Sequence, residues 1–424
     1  MTSCAAAVTT LDNVPVDVII VGAGISGLVC SNSLIKQGAS KTVVLEARNR
    51  VGGRLLSFDG GIDLGASWGW PPHESEGVNL AKDLGIKVLK QKLDGNSFQL
   101  QNGEMYNVGE NGGRMAPCGP DAVRFHGGYS ALAEKLAQQL LLIEDYDSCD
   151  VTEDGTKTEE TSLTSTSDSN NHKLLLGAVV KKIEKTSSEK DGDFINVTYE
   201  KNKKTTTIRS KRVVVALPPA VVAKSIEFQP QLNTKKLKKM METMTWCGDW
   251  CKIVATFKTN FWRKNGASGV VSTNGLPISI WWEGGSGDSI DSDSYESSSS
   301  SEPAAIVGLG FGVNDCKIVH NMIHDDEQLR TFIINTLGQA FPGGKERVAE
   351  QLLLAGGKSW AMDPLTFGGR SGKNREYGHP LLKEEIEWGG VHFAGSETEP
   401  LHGHVEGAIV AGKRAAREVI ASLR

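Results

Sequence analysis

Residues 16–46 read VDVIIVGAGISGLVCSNSLIKQGASKTVVLE. The apolar run at 16–21 reads as a buried strand, and Gly22-Ala-Gly24-Ile-Ser-Gly27 follows at once. Residues 26–37 carry a helical pattern that stops at Gly38. Thr42-Val-Val-Leu45 reads as a second strand ending at Glu46. The stretch is one βαβ unit. A dinucleotide needs a tight turn at the first glycine, bare backbone beside the pyrophosphate at the second, and close helix–strand packing at the third. The helix N-terminus, at Ile25 and Ser26, offers unpaired N–H groups and a partial positive charge to phosphates. Glu46 stands nineteen residues after Gly27, where a carboxylate can accept from ribose hydroxyls. A lone glycine triplet is weak. Strand, helix, second strand and acid together predict a dinucleotide site.

Composition bounds the rest. The chain has 424 residues and a formal charge of −5, with no basic tail, which argues against a nucleic-acid binder. Its 48 glycines are about 11 % of the chain against a usual ~7 %. Glycine accumulates where backbone turns tightly or approaches a ligand, so the excess hints at a cradle. Seven scattered cysteines read as reduced thiols. Cys247 and Cys251 are the only close pair, and no His cluster completes a metal site. The N-terminus lacks a basic start and a clean apolar run, and no stretch reaches ~18 apolar residues. The expectation is a soluble intracellular (cytoplasmic) protein with no integral membrane segment.

Further along, Gly60-Gly61 marks a hairpin, and helices are expected near 78–84 and over 127–142. Residues 147–172 and 284–302 are polar and Ser/Asp-rich, and read as disordered loops. Strands are expected at 174–184, 194–200, 205–217, 252–258, 277–282 and 305–312. Helices follow near 325–340, 346–354 and from Val405 to Leu423.

Arg50-Val-Gly52-Gly53-Arg54 follows the ribose acid. Alone it reads as a surface turn; there, its cations and bare backbone can flank a pyrophosphate and a ring edge. At this point VIIVGAGISGL, LEARNRVGGR and DLGASW resemble the N-terminal block of flavin-dependent amine oxidases. FHGGYSALAEKL, RVVVALPP and VHFAGSETEPLHGHVEGAIVAGKRAAREV resemble later blocks of that family. The resemblance implies an α/β chain with a discontinuous Rossmann-like FAD-binding fold (1–75, 124–230 and 355–424). It implies a second, mixed-sheet substrate domain (76–123 and 231–354), with a twisted sheet over about 252–312. It places Gly22, Gly24, Ile25, Ser26, Gly27, Glu46, Ala47, Arg48, Gly52, Gly53 and Arg54 at the cofactor. It adds Gly65, Ala66, Ser67, Trp68, Val180, Gly395, Ser396, Glu397 and Val405. A helix N-terminus at Val405 would aim its dipole at an electron-rich group.

GDWCKIVATFKTNFWRK resembles the family segment whose lysine reaches flavin N5 through a water and promotes reaction with oxygen. That makes Lys252 a candidate catalytic residue, although a lysine at a strand start is ordinarily solvated. Trp360 stands where the family places an aromatic beside the flavin. Departures matter too. Some members attach FAD through Gly-Gly-Cys; here the stretch is Phe367-Gly-Gly-Arg370, and no cysteine lies beyond Cys316, so FAD is expected to be non-covalent. The two tyrosines of monoamine oxidases are replaced by Ser371, on a loose alignment, and His404. His404 either accepts a hydrogen bond from substrate or simply fills space. The 71–123 stretch is lean for the family, so the pocket roof is reduced or supplied by a partner. Trp68, Trp70, Trp281 and Trp282 are candidate pocket aromatics.

The implied reaction is hydride transfer from the carbon beside an amine nitrogen to flavin N5, then imine hydrolysis and release of hydrogen peroxide. The cofactor does the hard step. An amine and oxygen are the implied partners. Two alternatives stay open: a flavin desaturase of the carotenoid or porphyrinogen kind, and an FAD-bound interaction module with weak catalysis. No second glycine fingerprint points to NAD(P)H. The substrate is not named by these residues.

Overall fold

The computed structural model describes residues 9–10, 15–39, 41–110, 117–141, 172–188, 192–285, 304–369, 376–400 and 404–423. The two expected loops lie almost wholly outside these residues. The expected βαβ unit is present as Val16–Val21, the helix Ile25–Lys36 and Thr42–Leu45. Val16–Val21 sits inside a nine-stranded sheet, pairing in parallel with Thr42–Leu45 on one side and Lys204–Val215 on the other. The sheet continues through Gly192–Lys201, Val179–Ser188 and Glu227–Gln229, and His172–Leu175 extends the opposite edge. Val391–Phe393 joins in parallel beside Lys204–Val215. The glycine turn therefore opens at the carboxyl end of a central parallel strand, the usual ligand position in such sheets.

A second, seven-stranded sheet runs Leu352–Ser359, Trp250–Phe257, Ala304–Phe311, Ile280–Glu283, Ala267–Thr273, Asn96–Gln101, Glu104–Glu110. It is antiparallel except where Ala267–Thr273 meets Asn96–Gln101. It is wider than the 252–312 span expected. Residues 352–354, expected to finish a helix, begin a strand instead; the helix stops at Gln351. The expected boundary between 354 and 355 thus cuts a strand paired along Trp250–Phe257. The boundary at 230/231 shifts too, because Met240 on the helix Thr234–Glu242 is buried in the core of the first sheet. The expected 174–184 strand is two, broken at Gly177, whose φ is +68°.

Close backbone packing fixes the helices against the sheet. A Cβ on Gly27 would lie 2.0 Å from the Gly22 carbonyl oxygen. A Cβ on Gly412 would lie 2.4 Å from the Ser26 carbonyl oxygen. The first helix therefore beds on the turn it follows, and the helix Val405–Leu423 lies directly on the first helix. That contact sets where residue 405 begins.

Lys236 is buried under the first sheet. Its ammonium donates to the carbonyls of Leu381 at 2.8 Å and Glu384 at 2.7 Å, and lies 4.2 Å from the Phe393 ring centroid. Burial pulls its pKa down to about 8, opposed by the Glu384 charge. Between that value and the unfolded lysine's ~10.4 the unfolded chain holds a proton that the folded chain has shed, so this group's contribution to stability rises with pH across the window. Lys236→Met is expected to flatten the pH dependence of Tm between pH 8 and about 10.4; an unchanged slope refutes the assignment.

Candidate active site

A cavity of about 960 Å³ opens between the two sheets. That is the upper end of the ~300–1,000 Å³ common for ligand pockets. One end is the glycine turn: Gly22, Gly24, Ile25, Ser26 and Glu46 line it. Gly22 has φ +104°, and a Cβ there would meet the Ala216 carbonyl oxygen at 2.8 Å. At Gly24 a Cβ would meet no protein atom within 4 Å, so its face is open. The Glu46 carboxylate accepts from the backbone N–H of Ala23 and of Arg48, both at 2.8 Å. It is a buried acid that closes the turn and still has lone pairs for a ligand.

The Arg50–Arg54 loop docks on this turn. Gly52 N–H donates to the Ala23 carbonyl at 2.8 Å, and Gly24 bridges Gly52. Its two arginines divide their work differently from expectation. Arg50 is spent on the loop's own carbonyls of Val51, Gly53 and Leu55 and does not line the cavity. Arg54 does line it, and forms an ion pair with the fully buried Glu397 at 2.8 Å while donating to Ser396 Oγ at 2.7 Å. Arg48 lines it beside Asp363, 3.0 Å away. Burial opposes ionisation of Asp363, but Arg48 and Lys358 hold its carboxyl below the usual range.

Lys252 is positioned by strand alternation. Cys251, Ile253, Ala255 and Phe257 face the core under the second sheet. Trp250, Lys252 and Val254 face the other way, toward the cavity side. The Lys252 ammonium donates to the Gly65 carbonyl and to Ser67 Oγ, each at 2.6 Å, and lies 5.4 Å from the Trp282 ring centroid. Burial lowers its pKa, and the negative charge of nearby Asp63 opposes the drop. Burial raises that of Asp63, opposed by Lys252 and by the Tyr129 N–H it accepts at 2.8 Å.

The far wall is aromatic. His404 lines the cavity, stacked 5.7 Å from Trp70 and edge-on 4.7 Å from Trp246. Trp250 continues the wall to Phe311, 4.9 Å away. Trp360 lines it with its indole N–H donating to the Leu64 carbonyl at 3.0 Å. Gly53, Gly65, Ala66, Ser67, Trp68, Gly395, Ser396 and Val405 are also in the lining. Gly27, Ala47, Val180 and Glu397 are not: Gly27 is packed under the turn, Val180 is in the core of the first sheet, and Glu397 sits behind Arg54. Trp281 and Trp282 are corrected as well. Both are core side chains, Trp281 beneath the second sheet and Trp282 against Trp68 at 4.6 Å. Ser371 and Arg370 lie outside the described residues. Sequence reasoning missed Trp246, which no periodic pattern marks, missed Trp250, two residues before Lys252 on the same strand face, and gave no role to Asp63.

The family model for flavin containing amine oxidoreductases matches residues 104–420. The chain belongs to this family. A model for an NAD(P)-binding Rossmann-like domain matches residues 20–81 of this amine oxidoreductase, over the glycine turn and the loop docked on it. A flavin-containing amine oxidase of Oncorhynchus mykiss is 24 % identical over 476 residues, covering 95 % of this chain and 85 % of that one. An L-amino-acid oxidase of Siganus canaliculatus is 24 % identical over 474 residues, covering 95 % and 85 %. Among solved structures, a putrescine oxidase bound to putrescine shares the fold with a TM-score of 0.67 at 18 % identity, covering 97 % of this chain and all of that one. As a member of that family, this amine oxidoreductase is a flavoprotein. No helix among its described residues is long and apolar enough to cross a membrane.

Glu46→Ala removes the acceptor that ties Ala23 to Arg48. It is expected to lower flavin retained on purification at least severalfold, read as the ratio of flavin to protein absorbance. Full retention refutes a role for Glu46.

Proposed function

We propose that this chain holds FAD non-covalently and oxidises the C–H bond beside an amine nitrogen, releasing an imine that water hydrolyses and passing the electrons to oxygen as hydrogen peroxide. The aromatic chamber that runs from the glycine turn to Trp70, Trp246 and His404, with Lys252 in its wall, carries this reading. The donor set fits the cofactor. Gly24 presents open backbone, the first helix points its N-terminus at the same space, and the buried Glu46 suits ribose hydroxyls. Residues 367–369 hold no cysteine, and none follows Cys316, which supports non-covalent retention. FAD, when bound, supplies the hydride acceptor.

The chain's residues do the rest. Trp68, Trp70, Trp246, Trp250 and Phe311 exclude water and give an amine flat faces to lie against. Trp360 is locked by its bond to Leu64, so its ring is a fixed wall. Lys252, while protonated, holds a cation at a set place in a low-dielectric wall, where charge counts for more than in water. That suits stabilising the negative charge that oxygen acquires on reduction. The division of the chain into a dinucleotide-binding half and a substrate half belongs to the same proposal. The substrate is an amine, polyamine, amino acid or N-methyl compound.

Two measurements test this. A peroxide-coupled screen with putrescine, cyclohexylamine, L-amino acids and N-methylamines is expected to find turnover whose rate rises from neutral to mildly alkaline pH, because only a neutral nitrogen can release its electrons. No peroxide with any of them refutes the reading. Lys252→Met is expected to slow flavin reoxidation by oxygen by at least tenfold with flavin still bound, measured by stopped-flow; unchanged oxygen kinetics remove Lys252 from the reaction.

A further inference from the structure

Glu74 has no part in the chemistry above, yet its Oε1 is bonded to Nδ1 of His404. The contact joins the start of the helix Ser75–Asp83 to the start of Val405–Leu423. It is clamped from both sides. The Glu406 carboxylate accepts from Glu76 N–H at 3.0 Å and Gly77 N–H at 3.1 Å, capping one helix with a side chain of the other. Lys413 pairs with Glu76. Glu74 makes no capping bond to its own helix, so that role does not explain it. The two helices are bolted together where the pair sits, and His404 lies in the cavity wall between Trp70 and Trp246.

A neutral imidazole carries one N–H. A carboxylate at Nδ1 holds that proton there and makes Nε2 the basic nitrogen. An alkyl amine, with an ordinary pKa near lysine's ~10.4, is neutral in fewer than about one molecule in a thousand at pH 7. Something must take its proton before its carbon can be oxidised.

We propose that Glu74 and His404 form an acid–base dyad that deprotonates the substrate ammonium, with His404 as the acceptor and Glu74 as its positioning residue. The inference deepens the amine-oxidase reading and rests on it. One N–H bond of the ammonium breaks, the electron pair stays on the substrate nitrogen, and the proton goes to Nε2. The imidazolium formed faces the Glu74 carboxylate until the proton passes to water. Trp70, stacked on the ring, offers a face that attracts a cation. Other titratable groups around the pair are Glu76, Glu406, Tyr129 and Lys413 from the helix side, and Cys247 and Tyr377 beside Trp246. Glu76 and Lys413 neutralise each other, and burial holds the Tyr129 phenol well above its usual range.

The test uses the flavin-loaded protein, Glu74→Gln and Glu74→Asp, with Tm and flavin content measured alongside. ¹⁵N-histidine NMR, with His404 assigned through His404→Asn, is expected to show the Nδ1–H form in the wild type and a population shift toward Nε2–H in E74Q. With the amine turned over fastest in the screen, E74Q is expected to lose at least tenfold in kcat/KM at pH 7. The deficit is expected to narrow to about threefold or less near pH 10, where free amine is abundant. E74D restores part of the loss. A deficit equal at every pH, or an Nδ1–H form untouched by E74Q, overturns the dyad alone. A wild-type enzyme that oxidises no amine overturns the amine-oxidase reading, and the proton transfer with it.

Discussion

The molecule depends on backbone meeting backbone where Gly412 lies against the Ser26 carbonyl. A side chain at residue 412 would push two helices apart. With glycine there, the helix from late in the chain lies along the first helix, and its N-terminus opens beside the glycine turn. Val405 and His404 reach the cavity for that reason. The same tolerance recurs at Gly27, which lets the first helix bed on the turn. Arg54 adds a polar fastening, reaching across the fold to a carboxylate from the segment before the late helix. An ion pair with one fully buried partner is costly to break, since its loss strands a charge. Among the described residues, close backbone contact and a buried ion pair thus tie together the elements that wall the cavity.

Much of this was legible in local pattern. The βαβ unit, its glycine spacing and Glu46 stand where residues 16–46 put them, because the turn chemistry is written within a few residues. The closing helix was legible for the same reason. Long-range pairing was not. Ala267–Thr273 is buried on both faces and built of small residues, so no alternation announces it. Leu352–Ser359 follows a helix without a break and carries two glycines, a poor strand composition. The glycines have a cause that only the fold reveals. A Cβ on Gly356 would strike the Phe58 ring at 2.3 Å, and one on Gly357 would strike the Lys252 carbonyl at 2.6 Å.

Single side chains divided the same way. Lys252 was marked by the resemblance of its segment to the family's, since a lysine at a strand start carries no local signal of its own. Arg50 and Arg54 looked equivalent in sequence, yet one staples its own loop and the other serves the cavity. Trp281 and Trp282 are adjacent, so a strand sends them to opposite faces, and neither reaches the cavity wall. Trp246 sits in a short irregular connection, where nothing periodic could mark it. The Glu74–His404 bond spans 330 positions of sequence. No local rule joins such residues; only the meeting of two helix starts does.

The seam between the first and the late helix also has a consequence for biogenesis. Synthesis delivers Ser26 to the ribosome exit long before Gly412, and domains generally begin folding from the N-terminal side. The glycine turn and its strands thus emerge without the helix that covers them. Until that helix docks, the apolar face of Leu28 and Val29 has no partner from Ala408, Ile409 and Ala415. That face therefore stays open to solvent until the last stretch of the chain has left the ribosome.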